Sequence, residues 1–209
     1  MPVKNRIKQY GENEYYHIYN RGVNKQLIFR DEQDYNYLLN LFRTYLSPGK
    51  SIANYGRARK SYAEKIDLVA YCLMPNHYHL LVYLKEKDGA VKLIQGVMTA
   101  YSMYFNKKYG RVGGLFQGVF LASRIDNEMY LWHISRYIHL NPLNLGDYRR
   151  YPYSSYRDFT GERNSAWLQP QRIISTSKDR QDYIGFVADY KTMLRDRKLL
   201  EKLIANKSE

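Results

Sequence analysis

The chain predicts an α+β fold, a ferredoxin-like or RRM-like sandwich: an antiparallel sheet with helices packed on one face, followed by a helical C-terminal tail. Three observations carry this prediction. Apolar residues recur at strand spacing and at helical spacing in the order strand, helix, strand, strand, helix, strand. Breaks at Gly22, Ser47-Pro48-Gly49, Met74-Pro75-Asn76 and Gly113-Gly114 separate those segments. At 209 residues there is enough chain for one domain of ordinary size plus an appendage.

The first strand is Tyr15 to Arg21, aromatic and β-branched, closed by Gly22. Asp31 then caps a helix on which Tyr35, Leu38, Leu39, Phe42, Tyr45 and Leu46 repeat at helical spacing until Ser47-Pro48-Gly49 stops it. Lys50 to Lys65, holding Arg57, Arg59 and Lys60, reads as an exposed basic loop. Ile66 to Leu73 and His77 to Leu84 read as antiparallel neighbours joined at Met74-Pro75-Asn76.

A second helix from about Gly89 to Tyr109 buries Ala90, Leu93, Ile94, Val97, Tyr101, Tyr104 and Phe105. Lys107, Lys108 and Arg111 gather at its end, where the helix dipole accounts for cations as readily as phosphate binding does. Val119 to Ile125 is a further strand. Asp126 or Asn127 caps a third helix, Glu128 to Leu140, ended by Asn141-Pro142 because proline cannot donate and restricts its predecessor. Arg149 to Gly161, rich in Tyr, Pro and Ser, reads as an ordered coil around the body. From about Gln181, Tyr183, Phe186, Val187, Tyr190, Leu194 and Leu199 are spaced as on a helix.

Composition narrows the function. The net charge is +13, and the excess lies in the body: 25 Lys and Arg against 14 Asp and Glu up to residue 177, then 8 against 6. Such a surface favours a polyanion, nucleic acid first. A single cysteine, Cys72, excludes an intrachain disulfide and a cysteine-based zinc site. No segment has the apolar length of a membrane span and the N-terminus lacks a secretory signal, so a cytoplasmic protein without membrane contact is expected.

His77 and His79 lie two residues apart on a strand, so both imidazoles project from one face, a geometry that can hold a metal. His17 on the first strand is a candidate third ligand, although a structural role suits it better. On the third helix Tyr137 and Asn141 are four apart and share a face, with His133 one turn earlier, while Leu131, Ile134 and Ile138 mark the stripe facing the sheet. A candidate nucleophile and a candidate amide ligand thus share a face. Tyr137 stands out among 23 tyrosines only if this helix crosses the histidine pair.

Five blocks in one order carry a resemblance: Tyr16-His17-Ile18-Tyr19-Asn20-Arg21-Gly22, Met74-Pro75-Asn76-His77-Tyr78-His79-Leu80-Leu81-Val82, Gly114-Leu115-Phe116-Gln117-Gly118, Tyr137-Ile138-His139-Leu140-Asn141-Pro142 and Tyr151-Pro152-Tyr153-Ser154-Ser155-Tyr156. Over roughly Glu14 to Gly161 the chain resembles the REP-associated tyrosine transposases, among the single-tyrosine HUH nucleases. Tyr78 is a bulky version of the hydrophobic residue that family places between its histidines.

The resemblance implies metal ligands at His77, His79 and Asn141 and a nucleophile at Tyr137. It also implies Mg2+ or Mn2+, single-stranded DNA cleaved and rejoined beside hairpin-forming palindromic repeats, and a covalent 5′-phosphotyrosine. Two imidazoles by themselves favour zinc or another borderline ion, so the choice of Mg2+ or Mn2+ comes from the resemblance. A homodimer, with the tyrosine acting in cis or in trans, stays open.

Residues 1–161 are expected to form the catalytic domain and 162–209 a partly helical extension. Arg21, Arg57, Arg59, Lys107, Lys108 and Arg111 are candidate phosphate contacts, and Gln117 a candidate base reader. The alternative is a non-catalytic RRM-like module that binds single strands through aromatic sheet residues. A replication or conjugation initiator of the wider HUH class is a third reading, for which the chain lacks the length of a helicase domain.

Overall fold

The computed structural model describes residues 10–49, 51–52 and 58–189, with backbone alone at 51–52 and 58–59. Its elements are β1 (Glu14–Arg21), α1 (Glu32–Leu46), the short paired strands β2 (Ser51–Ile52) and β3 (Ala58–Arg59), β4 (Ile66–Met74), β5 (His77–Leu84), α2 (Gly89–Lys108), β6 (Leu121–Ile125), α3 (Glu128–Leu140), α4 (Tyr156–Thr160), α5 (Gln171–Ile174) and α6 (Arg180–Ala188). The expected antiparallel sheet is present, in the order β4-β5-β1-β6. Arg57 lies outside the described residues, as do the helix positions expected at Tyr190, Leu194 and Leu199. Where a basic loop was expected, β2 and β3 pair as a two-stranded ribbon, and Lys60 after it is exposed.

Local signals placed the element ends. The Asp31 side chain accepts from the Asp34 amide at the start of α1, and the Asn127 side chain accepts from Tyr130 at the start of α3, satisfying first-turn donors that have no partner within the helix. Alternation along the strands makes two cores. Tyr16, Ile18, Tyr78, Leu80 and Val82 face the layer of α1 and α2, which is the predicted sandwich. Ala70, Cys72, Met74 and Leu81 face Leu131, Ile134 and Ile138 of α3. The histidine face is therefore covered as well, by α3 with α4–α6, beyond the single helical layer that the element order implied. A register shift between Leu68 and Ala70 reassigns the faces of β4, so that Val69 and Ala70 both join the second core.

Although β4 is an edge strand, every one of its residues is buried. The segment after α3 explains this. Leu73 donates to Tyr153 O at 2.9 Å, Ser155 to Tyr71 O at 2.9 Å and Gln169 to Leu68 O at 2.8 Å, so the Tyr-Pro-Ser stretch occupies hydrogen-bonding groups that would otherwise template aggregation. Arg163 fastens it through Asp158, at 2.7 Å, and Tyr71 Oη, at 3.0 Å. α6 docks on α3 through His139, whose ring nitrogens lie 2.9 Å from Tyr183 Oη and 2.8 Å from Ser155 Oγ.

Burial pushes the His139 imidazole down to about 3 from an ordinary 6.5, with Arg163 adding to the effect. Between those values the unfolded chain binds a proton that the folded chain does not, so stability falls as pH falls. The slope is about 1.4 kcal/mol per pH unit for such a group. Urea unfolding at pH 6.5 and pH 5 is expected to show a smaller stability loss in His139→Gln than in the parent, by about 2 kcal/mol. Equal losses would show that His139 titrates normally.

Candidate active site

Cross-strand register assembles the site. β5 pairs with β1 so that Tyr19 lies opposite His79 and Arg21 opposite His77, and residues directly opposite share a face. α3 crosses that face. Its Tyr137 ring stands edge-on to His79 at 5.3 Å between centroids and to His17 at 6.1 Å. Asn141, one turn later, brings Oδ1 to 3.3 Å from His77 Nε2. All four residues nominated from the sequence, His77, His79, Tyr137 and Asn141, therefore meet within one chain. Three of them, His77, His79 and Tyr137, line a cleft of about 800 Å³.

The hydrogen-bond pattern decides which atoms face one another. The Asn76 amide donates to Lys25 O at 3.3 Å, which turns its Oδ1 toward His77 Nδ1 at 2.7 Å. The proton of neutral His77 thus sits on Nδ1, and Nε2 is a bare acceptor. The Asn141 amide donates to Tyr137 O at 3.0 Å, so its Oδ1 also offers a lone pair. Two acceptors facing each other at 3.3 Å repel, and a cation between them removes the repulsion.

His77 is held below its usual range by burial first and by Arg21 as well, opposed by Asn141. His79 is pushed well below its usual range by burial, with His17 and His77 contributing. Neutral imidazoles are the form that binds metals. The residues present fit a divalent cation on that chemistry. Among the described residues no cluster of three or more His, Cys, Asp or Glu side chains could hold a metal, so the amide oxygen would be the third protein donor.

Of the three other histidines, His133 and His139 do not line the cleft. His133 accepts from Arg136 at 3.0 Å and borders a recess with Trp132 and Phe186. His139 is the α6 anchor described above. His17 is buried beside His79, with 2.9 Å between its Nε2 and His79 Nδ1.

Of the candidate phosphate contacts, Arg21 lines the cleft and donates to Gln117. Lys108 instead bridges Asp31 at 2.7 Å and fully buried Asp34 at 2.8 Å, and Arg111 is held by Gln26 and Asn106. Lys107 borders neither the cleft nor the groove beside it, and the Arg59 side chain is outside the described residues.

Sequence reasoning passed over Lys25, Tyr19 and Asn76, which also line the cleft. Lys25 arrives through a turn in which Asn24 and Lys25 both adopt positive φ, which their residue types do not advertise. Tyr19 stacks on both His17 and His79, at interplanar angles of 25° and 28°. Burial raises its phenol, and the neighbouring Tyr137 phenol adds to the rise. Asn76 carried a signal that could have been used, an amide directly before a histidine at a strand start.

Residues 54–141, fewer than half of the chain, match the family model described as IS200-like transposase. No curated protein matches it. Among solved structures, that of a REP-associated tyrosine transposase bound to a REP hairpin aligns at a TM-score of 0.55 and 15% identity, covering 74% of this chain and 84% of that one. A candidate transposase from Deinococcus radiodurans aligns at a TM-score of 0.38 and 16% identity, covering 64% and 94%. The first of these shares the fold. The expected antiparallel α+β architecture thus holds, and the family model falls inside the span over which the five sequence blocks carry their resemblance. No helix among the described residues is long and apolar enough to cross a membrane.

Proposed function

We propose that this chain, matched to the IS200-like transposases over residues 54–141, cleaves and rejoins single-stranded DNA beside hairpin-forming repeats through a 5′-phosphotyrosine on Tyr137. His77, His79 and Asn141 would hold the Mg2+ or Mn2+ this requires. The observation that carries the reading is that one phenol and two imidazoles line a single cleft, with an amide oxygen 3.3 Å from one of those imidazoles. A divalent cation bound by those donors would polarise the scissile phosphate and orient it.

Tyr137 Oη attacks the phosphorus, the 3′-oxygen leaves as a hydroxyl, and the 5′ side stays on the enzyme. Re-attack by a 3′-hydroxyl reseals the strand, and because the covalent link conserves the bond energy no nucleotide cofactor enters. Arg21 and Lys25 at the cleft supply positive charge for the backbone. Neither His133 nor His139 takes the tyrosine proton, since both are engaged away from the cleft. That the four residues meet within one chain supports a tyrosine acting in cis. Residues 1–161 are assigned as the catalytic domain and 162–209 as an extension, of which α5 and α6 pack into the second core.

A binding module of RRM type fits less well, because the sheet face it would offer to unpaired bases lies under α3 and α4–α6. The hairpin as substrate is taken from the neighbour, described as bound to a REP hairpin. The test is a labelled hairpin-bearing oligonucleotide incubated with the purified chain and Mn2+ or Mg2+. A nick, with the 5′-phosphate side attached to protein and EDTA abolishing both, is the expected result. Binding that ignores EDTA and never nicks would reject the proposal.

A further inference from the structure

His17 is fully buried on β1, and its Nδ1 has no hydrogen-bond partner among the described residues. Packing does not explain such a residue. A buried imidazole with one nitrogen unmet is costly beside an apolar ring of similar size. Its one polar contact is the 2.9 Å approach of Nε2 to His79 Nδ1. The ring is also held in plane, stacked on His79 at 18° and on Tyr19 at 25°.

We infer that His17 is the positioning residue of the site: its Nε2 accepts the Nδ1 proton of His79 and so fixes the tautomer in which His79 Nε2 is bare and available as a donor. The inference rests on the proposed cation site and extends it. It also makes the two cleft histidines alike, because Asn76 Oδ1 engages Nδ1 of His77 as His17 engages Nδ1 of His79. Each ring is turned by a neighbour on its δ nitrogen, the arrangement that orients metal-ligating histidines and raises their basicity. The two neighbours come from different places, a side chain adjacent in sequence for His77 and a residue 62 positions away for His79.

The test uses two substitutions and two readouts on the full chain. His17→Phe keeps the stacked ring and removes the acceptor, whereas His17→Gln keeps an oxygen near the place of Nε2. Mn2+ affinity, read by loss of the free-ion EPR signal, is expected to fall about 10- to 100-fold in His17→Phe and to stay within about threefold in His17→Gln. Imidazole 15N spectra, in which the two tautomers are distinct, are expected to show His79 protonated at Nδ1 in the parent and in His17→Gln, and shifted toward Nε2 in His17→Phe. The melting temperature of His17→Phe should match or exceed that of the parent.

Equal loss of Mn2+ affinity in both variants, or an unchanged affinity and tautomer in His17→Phe, would overturn the inference. Asn141→Ala and His77→Ala, measured alongside, separate the two levels. If they weaken Mn2+ binding and His17→Phe does not, the positioning role alone is wrong. If they too bind as the parent does, the cation site has failed and the positioning role falls with it.

Discussion

Tyr137→Phe is expected to abolish covalent attachment to a hairpin-bearing single strand, lowering cleavage by about 10⁴-fold or more, the scale seen when a covalent nucleophile is removed from an otherwise intact site. Binding should persist. The substitution deletes one oxygen and keeps the ring that stands edge-on to His79 and His17, so the cleft retains its wall and the second core retains its packing. Loss of one partly solvated hydroxyl costs about 1 kcal/mol or less, too little to unfold a domain. Denaturing gels with 5′- and 3′-labelled strands read attachment, and gel shift in EDTA reads binding. A variant that still attaches would move the nucleophile elsewhere, and Tyr19, whose ring stacks on both buried histidines, would be the next phenol to remove.

What could be foreseen followed the range of the interactions involved. α3 was bounded correctly because both its signals are local, the Asn127 cap and the Asn141-Pro142 stop. The shared face of His77 and His79 followed from strand periodicity, and that of Tyr137 and Asn141 from helical periodicity. Whether those two faces meet was not legible, because it depends on α3 crossing the sheet on the side away from α1 and α2.

The role of His17 was hidden for a similar reason. It depends on the register that sets Tyr19 opposite His79, which no neighbour in sequence announces. Lys108 misled in the opposite direction. Its position at a helix end suggested phosphate contact, but the carboxylates that claim it, Asp31 and Asp34, are 77 and 74 residues away. The stretch around Tyr151-Pro152-Tyr153 was recognisable as ordered, yet its partner, the open edge of β4, could not be named before the strand order was known.

Asn141→Ala is expected to lose about 3 kcal/mol of transition-state stabilisation, roughly a hundredfold in cleavage rate, together with weakened Mn2+ binding. The reason is the geometry at its amide. With Nδ2 donating to Tyr137 O, Oδ1 is turned to His77, 3.3 Å from a ring nitrogen that offers a lone pair of its own. Without a cation that pairing is repulsive, and with one it becomes two donors of a binding site. Alanine removes the oxygen and also the hydrogen bond to Tyr137 O, worth about 1 kcal/mol.

Asn141→Asp separates those two losses. It keeps an oxygen toward the cleft, adds charge and gives up the donor, so it should melt lower than the parent in EDTA. It should then recover when Mn2+ is added, because a ligand that binds only the folded chain stabilises it in proportion to the logarithm of its concentration over Kd. His133→Ala, whose ring is engaged with Arg136 and borders a separate recess, is expected to leave both cleavage and Mn2+ affinity as they were. The decisive pair is therefore Asn141→Ala against Asn141→Asp. If alanine cleaves and binds Mn2+ as the parent does, the facing lone pairs of Asn141 and His77 have no cation to hold, and the metal must be sought elsewhere.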